Sequence, residues 1–533
     1  MKSTIIKIIF LNLLLISSIF ANSLKEDINQ LKTNSLKKKA QVVKSLYENY
    51  PQEDKLNLLL SKMVTSDLYY KESDGTFLII TKKEGENYHT VQLFDETKEE
   101  VINKKELDKV KTNNKLRSII KGILAQMNLF SKKYEIRLKS AKNILANVTK
   151  DDEALLEKAL KLETNAKIRE VLLEAKTILD AKTKSGFEQI KAVSALGEFI
   201  SSDSLATLKK IETTTDNKEL KELAKKSISQ VESSRSFYSF IETAFFGLSM
   251  GSVLLLAAIG LAITFGVMKV INMAHGEMMM IGAYTTYTLQ QVMPNLIEYS
   301  ILIAIPVAFI VSGIVGIIIE RLVIRHLYGR PLETLLATFG ISLILQQLVR
   351  TIYSPLNQEV KTPSWMSGAW EINSALSLTY NRLYIIIFAI LVFVGILLIL
   401  NKTSLGLKVR AVTQNRQMAQ AMGIKTSLID AMTFGIGSGI AGIAGVALSQ
   451  LTNVGPNLGQ AYIVDSFMVV VFGGVGNLWG TLIAAFTLGE INKFIEPVAG
   501  AVLAKVIILV FIILFIQKRP RGLFPQKGRD AQD

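Results

Sequence analysis

The sequence predicts an all-α membrane protein of seven to nine transmembrane helices, preceded by an exported α-solenoid of HEAT-like helical repeats that carries a small β insertion. Three observations lead there. The first is charge: Met1 to Glu242 hold 42 Lys and Arg with 34 Asp and Glu, whereas Thr243 to Asp533 hold only 19 and 12. A stretch so poor in charge belongs in a bilayer. The second is hydropathy, with apolar segments near 244–266, 271–293, 297–320, 332–353, 383–400, 430–452, 461–476, 478–495 and 499–517. The third is an internal helical repeat in the charged half.

Each element follows in chain order. Residues 1–21 have a basic start (Lys2, Lys7), an apolar run from Ile8 to Leu15 and a polar end before Ala21, the pattern of a signal peptide. An uncleaved anchor is the alternative, and either way the domain 22–236 is expected outside the cytoplasm. Between Leu68 and Leu93, the runs Phe77 to Thr81 and Tyr88 to Leu93, with Ser73, Asp74 and Gly75 as a turn, predict the β insertion. Leu138, Ala141, Ile144 and Val148 reappear 52 residues on as Ile190, Val193, Leu196 and Ile200. The set from Ile168 to Leu179 reappears as Leu220, Leu223, Ala224, Ser227 and Val231. Each unit has an apolar stripe that it buries only by stacking on its neighbour. Its remaining charge reads as a solvated face or as a surface for a partner.

The transmembrane half is expected to run from 243 to 517. Basic residues put two loops, one with Arg321, Arg325 and Arg330 and one at 401–429, in the cytoplasm with the tail 518–533. The loop 354–381 has Lys361 as its one basic residue and is expected outside. An exported start and a cytoplasmic end require an odd number of crossings, so the nine segments all cross or two are half-helices around Gly473, Gly474, Gly476 and Gly480.

Composition also excludes functions. The chain has no Cys and 3 His, at 89, 275 and 326, so disulfides, thiol catalysis and thiolate metal sites are absent and a metal cluster is not expected. No cofactor is expected. The net charge of +15 divides into +8 and +7, and no basic, aromatic-interleaved patch points to nucleic acid. There is no GxxxxGK[ST] phosphate loop, so ATP hydrolysis would sit on another chain and this one is not expected to be an enzyme.

Four groups carry candidate roles. Asn272, His275 and Glu277 are polar groups at the start of the second apolar segment, suited to a translocation path or to anchoring the helix near the interface. Thr334, Thr338, Ser342 and Gln346 fall four apart and make one polar stripe, which either lines a path for a neutral solute or bonds helices together. Gly473, Gly474 and Gly476 suit a broken helix beside a path or simple close packing. The run Gly406 to Ile424 favours one short helix ending at Gly423, either a docking element for a soluble partner or a plain positive-inside loop.

That run resembles the coupling loop of ABC importer permeases of the branched-chain amino-acid type. Further stretches agree in the family's order: INMAHGE at Ile271–Glu277, IGAY at Ile281–Tyr284, LATFGISLIL at Leu336–Leu345, GGVGNLWG at Gly473–Gly480 and RPRGLFPQKGR at Arg519–Arg529. The resemblance covers 243–533 and implies a polytopic ABC importer permease in the bacterial inner membrane. It implies that Gly406, Arg410, Ala411, Asn415, Ala419 and Gly423 dock an ATPase. It also implies as partners a second permease subunit, two ATP-binding subunits and an exported solute-binding protein. The exported extension, with LYYKESDGTFLII at Leu68–Ile80, resembles the urea branch, whose first permease carries one; urea is then the expected substrate. A branched-chain amino acid is the alternative within the family, and a self-sufficient urea channel or secondary transporter the alternative outside it.

Overall fold

The computed structural model describes residues 24–51, 53–95 and 97–525, so the signal-peptide expectation for 1–21 lies outside the described residues. The chain forms two compact units, one ending at Ser233 and one beginning at Ser234.

In the first unit, α1 (Leu36–Asn49) and α2 (Asp54–Thr65) lead into β1 (Leu68–Lys71), β2 (Phe77–Glu84), β3 (Asn87–Gln92), β4 (Glu99–Asn103) and β5 (Leu107–Lys109), and α3 (Asn114–Leu129) follows. The insertion is therefore larger than the two-run expectation. It is a five-stranded antiparallel sheet ordered β4-β3-β2-β1-β5. β4 and β5 escape the sequence pattern because Glu99, Glu100, Asp108 and Lys109 interrupt the apolar alternation that marks a strand. Phe77 and Ile79 on one face pack with Leu56, Leu60, Leu116 and Ile120 of the helices.

Six helices follow the sheet domain: α4 (Tyr134–Ala146), α5 (Glu153–Leu162), α6 (Ala166–Thr183), α7 (Phe187–Leu196), α8 (Ser202–Thr214) and α9 (Lys218–Met268), of which the residues to Ser233 belong here. The spacing of 52 residues superposes α4–α6 on α7–α9. The pairs Ala141/Val193, Ile144/Leu196, Leu156/Leu208, Ala159/Ile211, Ile168/Leu220 and Leu172/Ala224 are all buried in one cluster. Burial at matched positions is what repeated units with one shared core require. A buried polar group joins the copies. Glu174 of α6 accepts hydrogen bonds from the hydroxyls of Ser201 and Ser204, the latter at 2.6 Å, and Ser201 caps α8 through the Ser204 N–H at 3.1 Å. Burial pushes the Glu174 carboxyl above its ordinary range, and the two hydroxyls oppose that shift.

The second unit contains the rest of α9, then α10 (His275–Val292), α11 (Ile297–Leu322), α12 (Pro331–Tyr353), the hairpin β6 (Ala369–Asn373) and β7 (Leu376–Thr379), and α13 (Tyr380–Lys402). It continues with α14 (Ser404–Gln414), α15 (Arg416–Ala421), α16 (Thr426–Ser449), α17 (Leu458–Gly473), α18 (Leu478–Ala499) and α19 (Ala501–Lys518). Each of the nine apolar segments falls on a helix. Among the described residues, six stretches are long and apolar enough to cross a membrane: Lys218–Met268, Pro294–His326, Pro331–Tyr353, Tyr380–Lys402, Thr426–Ser449 and Ala501–Lys518. α10, α17 and α18 are the three that do not reach that measure. α10 opens on His275 and Glu277; α17 has 16 residues, about 24 Å of helix against a core of about 30 Å; and α18 carries Glu490, Lys493 and Glu496.

Helix α16 is the centre of this unit, and it is buried along nearly its whole length. Glycine makes that possible. A Cβ on Gly445 would lie 1.9 Å from the Met279 carbonyl oxygen, and one on Gly282 would lie 2.0 Å from that of Gly442, so α10 and α16 touch backbone to backbone.

Candidate functional site

The stretch before α10 is held from within. The Asn272 carboxamide accepts the Ala274 N–H at 3.0 Å, capping the turn that starts α10. His275 is fully buried, with Nε2 2.9 Å from the Ala257 carbonyl; since a carbonyl only accepts, Nε2 carries the proton. Its Nδ1 has no partner. Glu277, 1% exposed, accepts at Oε1 from Ser342 Oγ at 2.9 Å and from Gln346 Nε2 at 2.8 Å, while Oε2 has no hydrogen-bond partner.

Those contacts place the polar stripe. Thr334, Thr338, Ser342 and Gln346 are all buried on one face of α12. Thr338 Oγ1 accepts the Met273 N–H at 3.1 Å, one turn before Ser342 and Gln346 reach Glu277. Thr334 turns instead to its own segment and donates to the Arg330 carbonyl at 2.8 Å. So Glu277, Thr338, Ser342 and Gln346 meet in one polar seam between α10 and α12, with Asn272 capping the turn before α10 and His275 facing α9. The stripe faces another helix of its own unit and is closed by Glu277. A carboxylate with one satisfied and one free oxygen, deep in an apolar helix pair, can receive a cationic or N–H group if the seam opens.

The glycine-rich turn does something different. Gly474 (φ 103°) and Gly476 (φ 77°) shape the link between α17 and α18, and Gly473 and Gly480 cross at their carbonyls. Onto this turn the tail is laid: the Leu523 N–H bonds the Phe472 carbonyl at 2.9 Å, the Phe524 N–H bonds that of Gly473 at 3.2 Å, and Asn477 Nδ2 donates to the Phe524 carbonyl at 3.2 Å. Gly473 and Gly474 therefore seat the RGLFP segment, while Gly476 lies against Gly266 of α9.

The loop 401–429 corrects two expectations. The single helix from Gly406 to Gly423 is two helices, because Asn415 leaves helical geometry (φ −156°, ψ 102°) and its side chain caps α15 through the Met418 N–H at 2.9 Å. Gly423, at φ 84°, ends the pair. The second correction concerns the surface. Ala419 is buried against Val409, Val412 and Ile429, and Gly406 is buried with its Cβ direction blocked at 2.0 Å by the Leu400 carbonyl. These two hold the loop onto its own unit. Arg410 donates to the Leu400 carbonyl at 2.5 Å, Ala411 is half-buried and Asn415 is exposed. The outward apolar side chains are Leu407, Met418 and Met422, at 63%, 60% and 77% exposure.

Sequence reasoning missed a charged cluster beside that loop. Arg416, first residue of α15, makes a bidentate pair with the fully buried Asp430 of α16, one arm of it at 3.3 Å from Nη1 to Oδ1. The guanidinium lies 4.8 Å over the ring of Tyr328, whose hydroxyl donates at 3.2 Å to Glu320 of α11, also fully buried. Between α17 and α19, Lys505 pairs with Asp465 at 2.8 Å. Carboxylates inside apolar runs at 320, 430 and 465 were the available signal.

Comparison with known proteins agrees with a transport subunit. Residues 243–516 match the family described as branched-chain amino acid transport system, permease component. The permease protein BraD of the high-affinity branched-chain amino acid transport system of Pseudomonas aeruginosa is 30% identical over 296 residues, 54% of this chain and 96% of that protein. LivH of Escherichia coli K12, the corresponding permease protein, is 28% identical over 300 residues, 54% of this chain and 97% of that protein. The ribose import permease protein RbsC of Bacillus subtilis is 27% identical over 132 residues, 24% of this chain and 41% of that protein. No solved structure matches. The chain belongs to the family of permease components of branched-chain amino acid transport systems. These relatives are transport permeases rather than enzymes, and just over half of this chain covers BraD and LivH almost completely.

Proposed function

We propose that the chain is the membrane subunit of an ATP-driven importer for a branched-chain amino acid in a bacterial inner membrane. The observation that carries this reading is the near-complete coverage of the branched-chain amino acid permeases by the second unit. The seam supports it chemically: an amino acid is a zwitterion, and Glu277 Oε2 is a free carboxylate oxygen able to meet an ammonium group. In this reading Asn272, His275, Glu277, Thr338, Ser342 and Gln346 border the path when the seam opens. The loop 401–429 docks an ATP-binding subunit through Leu407, Met418 and Met422 beside Lys408 and Arg410, with Asn415 and Gly423 shaping the surface. The partners are a second permease, two ATP-binding subunits and an exported solute-binding protein that works on the side of the domain 22–236.

Urea is the second reading. What favours it is the N-terminal unit, which precedes the family match at 243 and resembles the extension of urea permeases. Urea needs hydrogen-bond donors and acceptors but no charged partner, which the hydroxyl and amide groups of α12 supply. The two are separated by uptake of labelled leucine and labelled urea in cells that express the full set of subunits. The amino-acid reading expects leucine uptake to exceed urea uptake and to fall strongly in Glu277→Gln with the protein still inserted. Urea uptake exceeding leucine uptake overturns it in favour of the second reading.

A further inference from the structure

The loop 401–429 is joined to the transmembrane core by more than its ends. Its last helix, α15, connects to α16 through only four residues, Met422 to Lys425, and Gly423 gives that link a left-handed turn. That link is itself held, with the Ile424 N–H on the Ala419 carbonyl at 3.0 Å and Ala419 packed with Ile429 of α16. The Arg416 cluster adds a directional polar contact to that apolar one. Arg416 reaches Asp430 on the first turns of α16 with both guanidinium arms and stacks on Tyr328, and Tyr328 holds Glu320 near the end of α11. One side chain of the loop thus grips the ends of two core helices. Both acids are fully buried, so neither is a surface ion pair free to exchange for water. A bidentate, stacked guanidinium also fixes direction, which a Lys ammonium would not.

The two gripped helices are packed closely against each other. Gly316 lies against the Ser438 hydroxyl, and a Cβ on Gly442 would lie 2.4 Å from the Ser312 hydroxyl, so α11 and α16 interlock along their length. α16 in turn touches α10 backbone to backbone at Met279, two residues past Glu277. A displacement of Arg416 therefore has a packed route to the seam.

We propose that Arg416 is the positioning residue that converts movement of the loop into movement of α11 and α16, with Asp430 and the Tyr328–Glu320 pair as its two anchors. The inference rests on the reading of the loop as the ATPase-docking element. It assigns the coupling step to the pairing of a half-exposed Arg416 with a fully buried Asp430, separate from the exposed Met418 and Met422 that would make the contact.

The test uses the complete importer, this chain with its partner subunits and binding protein, in proteoliposomes supplied with labelled leucine and labelled urea. Arg416→Met combined with Asp430→Leu removes both charges together, so no buried charge is left unpaired. The expected result is normal insertion, normal copurification of the ATP-binding subunits and retained ATP hydrolysis, with solute carried per ATP reduced about tenfold. The exchanged pair, Arg416→Asp with Asp430→Arg, is expected to recover most of that loss. If the double variant does not insert, Tyr328→Phe keeps the ring under the guanidinium and removes the hydroxyl that holds Glu320; a severalfold lower yield of solute per ATP is expected there. Unchanged solute per ATP in the inserted variants overturns the proposal and leaves the cluster a packing feature. Loss of copurification in the double variant overturns it too, by making Arg416 part of the docking surface. A wild-type chain that does not copurify with ATP-binding subunits overturns the docking reading on which it stands.

Discussion

Gly445→Val should leave almost no folded permease unit in the membrane. At this position the added Cβ meets the Met279 carbonyl oxygen at 1.9 Å and the Ala283 nitrogen at 2.8 Å. Both are backbone atoms of α10, so no rotamer change relieves the clash and the two helices must separate. Overpacking that side chains can absorb already costs about 1 to 3 kcal/mol. Here the movement also breaks the neighbouring contact of Gly282 with the Gly442 carbonyl, and the whole margin of a folded domain is only about 5 to 15 kcal/mol. Size-exclusion of the detergent-extracted chain and its thermal aggregation midpoint measure the effect. Gly340→Val is the control. No atom lies within 4 Å of a Cβ there, and a change within about 0.5 kcal/mol is expected. A Gly445→Val chain as stable as the Gly340→Val chain would show that α10 and α16 do not meet as described.

The second large effect is expected at the loop. Met418→Glu together with Met422→Glu puts two carboxylates on an exposed apolar surface, where the free chain tolerates them because neither side chain is packed within its own unit. The variant should insert with unchanged stability and bind ATP-binding subunits about a hundredfold more weakly, a loss of about 2.7 kcal/mol. Ala419→Glu should behave differently. Its carboxylate would enter the cluster of Val409, Val412 and Ile429, so it should unfold the loop on its own unit before any partner is present. Copurification and limited proteolysis of the loop separate the two results. Equal ATPase association in wild type and in the double Met variant would remove Leu407, Met418 and Met422 from the docking surface.

The contrast between Ala419 and Met418 shows how far the sequence can be read. Helical spacing located every apolar segment of the second unit and the one-faced stripe of Thr334, Thr338, Ser342 and Gln346, because periodicity is a local property of the chain. What periodicity cannot contain is the partner of a face. Ser342 and Gln346 meet Glu277, 65 and 69 residues away in sequence, and nothing near α12 announces a carboxylate. Ala419, a docking residue by the family resemblance, is covered by Val409 and Val412 of α14 and Ile429 of α16, and its own short helix carries no sign of them. Asn415 was legible in kind, as an N-cap residue type, but its place in a run of good helix formers concealed the break. Arg416 was hidden by its surroundings, since one more basic residue in a positive loop carries no sign that a buried Asp430 awaits it. The strands Glu99–Asn103 and Leu107–Lys109 were lost for a related reason: edge strands lie half in water and take charged residues freely.

The glycines at 473, 474 and 476 extend the same lesson to backbone geometry. Their clustering was plain in the sequence. Their use, a turn that receives residues 522–524 of the tail, depends on hydrogen bonds between segments far apart in sequence, such as the Phe524 N–H to the Gly473 carbonyl.

The central claim is that this chain moves its solute only when another chain hydrolyses ATP. It is tested most directly by the accumulation of labelled leucine in proteoliposomes that contain this chain with its ATP-binding subunits and binding protein, compared with proteoliposomes that contain this chain alone. The account predicts accumulation above the outside concentration that requires ATP on the side of the loop 401–429, and no entry with the chain alone. Entry through the chain alone, reaching but never exceeding the outside concentration and indifferent to ATP, would contradict it and define a channel instead.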